Sequence, residues 1–243
     1  MDDALAIRDY LPNSFKNSND GDYIAFLWEV FESNYESGKY QFAMLACHML
    51  YMSFVYFSVW QIKTRRKDAF SMSLVGFSKD DEKGLLEATS PFSFWTINEA
   101  RIFRFLKLIG CTNNDIGKFA KLVQQRNDIA HSNGNIFFSD QATADSKIGE
   151  ILDQMAAIQS HMRPVIHECL KHFLLESHNP DEREYYDDAD QIREVLIHAN
   201  YFSQKDIEDC LGFDIDSLSG HAHFEALKTL FAAYLAEYTQ QDD

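Results

Sequence analysis

The run Gln124-Gln125-Arg126-Asn127-Asp128-Ile129-Ala130-His131 brings an arginine, an amide and a histidine close together along the chain. Histidine suits proton transfer in either direction, because its ordinary pKa of about 6.5 lies near neutral pH. Arginine stays charged, and its planar fork can hold two oxygens of an anion. On an ideal helix Arg126 and His131 stand about 140° apart, so they share no face. Asn127 and His131, four residues apart, do share one. A long arginine side chain still reaches the histidine if the helix opens at Ser132. The plainer reading of the same residues is a helix end at which His131 meets the dipole while Arg126 is solvated.

The elements around this run follow from apolar periodicity and from breakers. Residues 1–20 read as a polar lead-in, with Asn17-Ser18-Asn19-Asp20 ready to cap a helix. A helix from Asp22 to about Ser37 carries Ile24, Leu27, Trp28 and Phe31, and Gly38 ends it. A longer helix runs from about Tyr40 to Arg66. Residues 67–97 read as an irregular excursion with room for a short strand or hairpin. A helix over Ile97–Ile109 closes at Gly110. Thr112 to Asp115 supply cap oxygens for the next helix, which bears the Arg126–His131 run and stops around Gly134. A long helix from about Ala142 to Glu176 contains Pro164. The acidic stretch 179–190 reads as a connector to three short helices over Ile192–Ala199, Gln204–Leu211 and Phe224–Tyr238. The expected architecture is all-α: a helical bundle over residues 1–178, and a connector with a helical appendage over 179–243.

Composition supports that class. The chain has 243 residues, 46% hydrophobic and 14% aromatic, with only 10 Gly and 4 Pro. That supplies a sizeable core and too few turn residues for a sandwich or barrel. Net charge is −16, which argues against general coating of nucleic acid. The acidity is concentrated late, because residues 138–243 carry 7 basic and 22 acidic side chains. A local basic site has room earlier, at Arg101, Arg104, Lys107, Lys118, Lys121 and Arg126, unless these are simply solvated helix faces. Residues 42–60 hold no Asp, Glu, Lys or Arg and are followed by Lys63, Arg65, Arg66 and Lys67. That segment is long enough to cross a bilayer, but its polar residues favour a buried core helix that also serves a dimer interface.

Other chemistry is sparse. Cys47, Cys111, Cys169 and Cys210 form no CxxC pair, and the acidic N-terminus lacks the basic start of a signal peptide. Free thiols in a reducing cytoplasm are expected. Cys111, near a helix N-terminus, is the one thiol with a reason to be acidic. His161, His167, His172 and His178 are spaced five or six apart, wrong for ligands stacked one turn apart. No metal or cofactor site is read, and there is no P-loop, GxGxxG or HExxH.

Arg126-Asn127-x-x-x-His131, at the end of the third main helix of a bundle, resembles the R-x4–6-H motif of the HEPN superfamily, in which Asn commonly follows the Arg. The resemblance covers the motif and the helix order over roughly residues 21–177 and leaves the C-terminal segment unexplained. It implies a metal-independent endoribonuclease of toxin or phage-defence type. Its reaction leaves a 2′,3′-cyclic phosphate and a 5′-hydroxyl. In that carry-over His131 moves the proton, Arg126 stabilises the phosphorane, and Asn127 orients the imidazole or bonds the phosphate. Arg101, Arg104, Lys118 and Lys121 would bind RNA phosphates. The resemblance also implies a homodimer with two facing motifs and restraint by an antitoxin or regulatory protein. Some HEPN toxins carry a modifiable Tyr two residues after the His; here Asn133 stands there, so restraint falls to the acidic segment or the appendage. The competing expectation is a non-catalytic HEPN module that binds protein, nucleotide or RNA.

Overall fold

The computed structural model describes residues 2–131 and 134–239. Among these residues every regular element is helical and no strand is present, so the all-α expectation holds. Seven helices of eight residues or more form the frame: α1 (Ser18–Glu36), α2 (Tyr40–Arg65), α3 (Lys79–Glu87), α4 (Asn113–Ala130), α5 (Gln141–Ser177), α6 (Gln204–Leu211) and α7 (Phe224–Tyr238).

Helix α1 starts where the Asn17 side chain accepts from the Asn19 amide, and it buries Ile24, Leu27, Trp28, Phe31 and Tyr35 along one stripe. Gly38, in the left-handed region at φ +69, turns the chain into α2. Helix α2 is buried on nearly every side, and that explains why residues 42–60 carry no formal charge. It packs against α1, α4 and α5 and forms the axis of the protein. It is long and apolar enough to cross a membrane, yet 83% of its most apolar stretch is buried inside the protein.

Three expectations are corrected. Residues 1–20 are not merely polar: Asp2–Leu5 is helical, Arg8–Tyr10 forms a 3₁₀ turn, and Ala4, Ile7 and Leu11 are buried. Their apolar spacing is too short to stand out in a polar stretch. The excursion over 67–97 contains no strand. It consists of the short helix Lys67–Met72, helix α3 and a 3₁₀ stretch over Pro91–Thr96, capped by Ser78 and Ser90 hydroxyls. The segment expected as one helix over 97–109 is α-helical only at Glu99–Ile102, then tightens to 3₁₀ over Phe103–Ile109 before Gly110 at φ +89.

The C-terminal residues share the core of the bundle. Ile192, Leu196, Phe202, Ile207, Leu227 and Tyr234 belong to the same buried cluster as α2 and α5. Ile192–His198 is a π-helical stretch, and α6 opens with a Ser203–Asp206 capping box, the Ser-x-x-Asp pattern that the sequence carries there. The buried Asp206 carboxylate does more than cap. It accepts from Gln61 Nε2 on α2 at 3.1 Å and from Gln159 Nε2 on α5 at 2.8 Å. Burial pushes its pKa up despite these donors. Removing the carboxylate takes the one shared acceptor from both amides, leaving Gln61 with the Asn200 and Tyr201 carbonyls and Gln159 with Asp209, and it cuts the tie between α2, α5 and α6. Asp206→Ala is therefore expected to lower the unfolding free energy by about 2–3 kcal/mol, read from urea denaturation. An unchanged midpoint would show that the appendage is not fastened this way.

Candidate functional site

Arg126, Asn127 and His131 occupy the last turn of α4 and its C-cap. The helix begins at a Thr112–Asp115 capping box, in which Asp115 Oδ2 accepts from the Thr112 amide at 2.9 Å. Phe119, Leu122 and Val123 are the buried face that seats it. The chain leaves helical geometry at His131 (φ −89, ψ 142), whose amide still donates to the Asn127 carbonyl at 3.1 Å. Gly134 has the expected positive φ, but the helix has already ended at Ala130. Asn133 lies outside the described residues.

The arginine is anchored by groups that the motif does not contain. Arg126 Nη2 donates to Glu99 Oε2 at 2.5 Å. The same oxygen meets His48 Nε2 at 3.1 Å. Glu99 sits on the first turn of Glu99–Ile102, where the Asn98 side chain caps the helix by accepting from the Ala100 amide. The His48 side chain is only 6% exposed, against 24% for Glu99 and 29% for Arg126. Burial lowers the His48 pKa more than Glu99 raises it, with Arg126 and Lys147 pushing the same way. The imidazole is thus neutral near pH 7 and donates its Nε2 proton to the carboxylate. Burial would raise the Glu99 carboxyl, but the hydrogen bonds and charges of His48 and Arg126 outweigh it and hold the pKa below its ordinary value.

A second cation stands nearby. Lys147, on α5, has a largely buried side chain that bonds Glu150 Oε2 at 2.5 Å and also reaches Gln125 Oε1. It lines a small cavity with His48, Arg126, Met44 and Ile129. Within that packing Arg126 Nε is buried without a hydrogen-bond partner. Asn127 is half-buried and His131 exposed, and neither side chain has a hydrogen bond among the described residues.

The four expected RNA-binding cations are dispersed. Arg101 pairs with Asp81 at 3.2 Å and lies over the Phe77 ring. Arg104 and Lys107 line a separate groove beside Ser73 and Ile116. Lys118 and Lys121 are exposed on α4. Among the described residues Arg101, Arg104, Lys118 and Lys121 make no hydrogen bond or ion pair with Arg126, Glu99, His48 or Lys147.

The sequence does not single out Glu99 as the partner of Arg126, Lys147 as its neighbour across the cavity, or His48 as the buried group that shares the Glu99 carboxylate. Glu99 looks like an ordinary acid at a helix start, and Lys147 like an ordinary surface lysine. A lone histidine in a charge-free helix was the one available signal, because such a group must find a partner. Cys111 is also corrected: burial and the nearby Asp115 charge push its pKa up to about 11, the opposite of the acidic thiol that its place near a helix N-terminus suggested. Among the described residues no group of three or more His, Cys, Asp or Glu is placed to hold a metal ion. The chain matches no protein-family model, and no curated protein or solved structure matches it.

Because Glu99 titrates below its ordinary 4.5, its ionised form contributes stability above that pH, and the contribution is lost as pH falls through the folded value. Glu99→Gln is expected to cost about 1–3 kcal/mol at pH 7, with the gap to wild type closing in acid. Urea denaturation at a series of pH values checks this, and a gap independent of pH contradicts it.

Proposed function

We propose that the chain is a metal-independent endoribonuclease of the HEPN type. It acts as a homodimer with a toxin or phage-defence role in the cytoplasm. The observation that carries the reading is the fixed position of Arg126. A buried histidine in the central helix costs free energy unless it is partnered, and here its partner is the carboxylate that holds this arginine. The anchored guanidinium stands on the last turn of a helix whose C-cap is an exposed histidine.

In the proposed reaction His131 accepts the proton of the ribose 2′-hydroxyl or returns one to the departing 5′-oxygen. Arg126 stabilises the charge that builds on the phosphorane, and Asn127 orients the reacting groups. One histidine cannot serve both proton transfers at once, so a second copy supplies the other. Exposed Phe42 and Met49, one heptad apart on α2, form an apolar strip for such pairing. Exposed Ile136 and Phe137 extend it, because the Phe137 amide donates to Gln41 Oε1 beside Phe42. The acidic stretch 179–190 is the proposed docking surface for a regulatory protein.

One observation favours a non-catalytic binding module: Glu99 already matches the Arg126 charge. Cleavage of total RNA in EDTA decides between them. Wild type is expected to leave cyclic-phosphate ends, and Arg126→Ala and His131→Ala each to lose about 10²- to 10⁴-fold in rate. Intact RNA with all three proteins overturns the nuclease in favour of the binding module. Phe42→Asp is expected to convert a dimer to a monomer in light scattering. A wild-type monomer at all concentrations contradicts the pairing.

A further inference from the structure

Glu99 has a second side. Besides holding Arg126, it lines a groove of about 510 Å³ between α1, α2 and the Pro91–Thr96 turn. Such a volume falls in the range of small-ligand sites. The walls are aromatic: Tyr23 and Phe92 meet edge to face at 5.1 Å, and Tyr56 packs edge to face on Phe92. Trp95 stands at the rim, 73% exposed. A large aromatic residue that the fold leaves uncovered beside an arginine site offers a stacking platform.

Two polar side chains line the groove beside these rings with bonding capacity to spare. Asp20 is 5% exposed; Ser90 Oγ donates to its Oδ2 at 2.9 Å, while Oδ1 has no hydrogen-bond partner among the described residues. Tyr56 is 7% exposed, and its hydroxyl is likewise unpartnered. Neither atom is among the fully buried unpartnered ones, so each is open to the groove and able to bond what fills it. What the groove lacks is a flat, polarisable ring carrying an N–H donor for Asp20 and a polar edge for the Tyr56 hydroxyl. An amino-bearing nucleobase has both. The distance from groove to cation is one carboxylate, so a base seated here leaves its phosphate close to Arg126.

We propose that this groove is a nucleobase subsite of single-stranded RNA. It takes an adenine, cytosine or guanine adjoining the phosphate at Arg126, with the ring against the Tyr23–Phe92–Trp95 aromatics and its exocyclic amine on Asp20. This deepens the ribonuclease reading and rests on it for the placement of the phosphate. Uracil has no exocyclic amine, and its one donor on that edge, N3–H, stands between two carbonyl oxygens that face the Asp20 carboxylate, so it is the disfavoured base. Binding involves no covalent step.

Fluorescence titration of the full chain with 2′-O-methyl trinucleotides, which cannot undergo 2′-hydroxyl attack, tests the subsite apart from catalysis. Wild type is expected to bind AAA and CCC at least about tenfold tighter than UUU, the scale of one hydrogen bond to a charged group. Asp20→Asn exchanges an acceptor for a donor and is expected to narrow or reverse that order. Trp95→Ala is expected to weaken all three about tenfold, the scale of one stacking contact. Trp95 is exposed, so that variant is not expected to disturb folding, and circular dichroism melts check both variants. Equal affinity for the three trinucleotides in wild type, or an order unchanged by Asp20→Asn in a folded variant, overturns the subsite. The two failures are separable. RNA cleavage without base preference in binding removes the subsite and keeps the nuclease. Base-selective binding without cleavage keeps the subsite and removes the nuclease.

Discussion

A single carboxylate oxygen joins the core of this protein to its candidate chemistry. Glu99 Oε2 receives both the buried His48 imidazole and the Arg126 guanidinium. His48 belongs to the axial helix, Glu99 to the short turn that follows the aromatic Pro91–Thr96 stretch, and Arg126 to the last turn of α4. Three elements distant in sequence are thereby held in one register at one point. Loss of the carboxylate leaves a buried imidazole donor unpaired and an arginine free to swing, which links the stability of this region to its function.

The helical frame exists to make that convergence rigid. Helix α2 is enclosed on nearly all sides, so His48 has little freedom to move. Arg66, just past its end, pairs with Glu168 of α5 at 2.6 Å and donates to the Leu108 carbonyl at 2.5 Å. At the opposite side of the helix, Gln61 joins Asp206 and brings in the C-terminal segment. Ser53, Ser58 and Thr64 turn their hydroxyls back onto carbonyls of the axial helix itself, whereas His48 and Gln61 reach out and fasten different neighbours. A short list of buried polar ties in an otherwise apolar core specifies which packing is reached, while apolar area supplies the driving force.

Electrostatics divide the surface into regions with different tasks. The acidic excess lies in the C-terminal part of the chain, and the Arg126–Lys147 pair lies where α4 and α5 meet. Each of these two cations has a carboxylate beside it, Glu99 for Arg126 and Glu150 for Lys147, so the spot is a charge-matched cluster in the less acidic part of the chain. Beside that place the groove at Trp95 offers ring faces and acceptors. A nucleotide has a ring and a phosphate, and the proposed RNA reading assigns one half to each of these neighbouring sites.

Much of the frame was legible from periodicity and caps alone. Asn17, Thr112 and Ser203 begin helices where their oxygens promised, and the charge-free run at 42–60 is indeed a core helix. These features are local, decided by a few neighbouring residues, and so a sequence states them directly. The motif residues Arg126, Asn127 and His131 were visible for the same reason. The partners of Arg126 were not. Glu99 is 27 residues away along the chain, and Lys147 acts from another helix. Nothing in their local sequence separates them from ordinary surface charges. Likewise Asp20, Tyr56 and Trp95 read as a helix cap and two core aromatics until the fold leaves them around one groove. Local chemistry is written along the chain, whereas which charge meets which buried group depends on how the helices pack, and that is a property of tertiary structure alone.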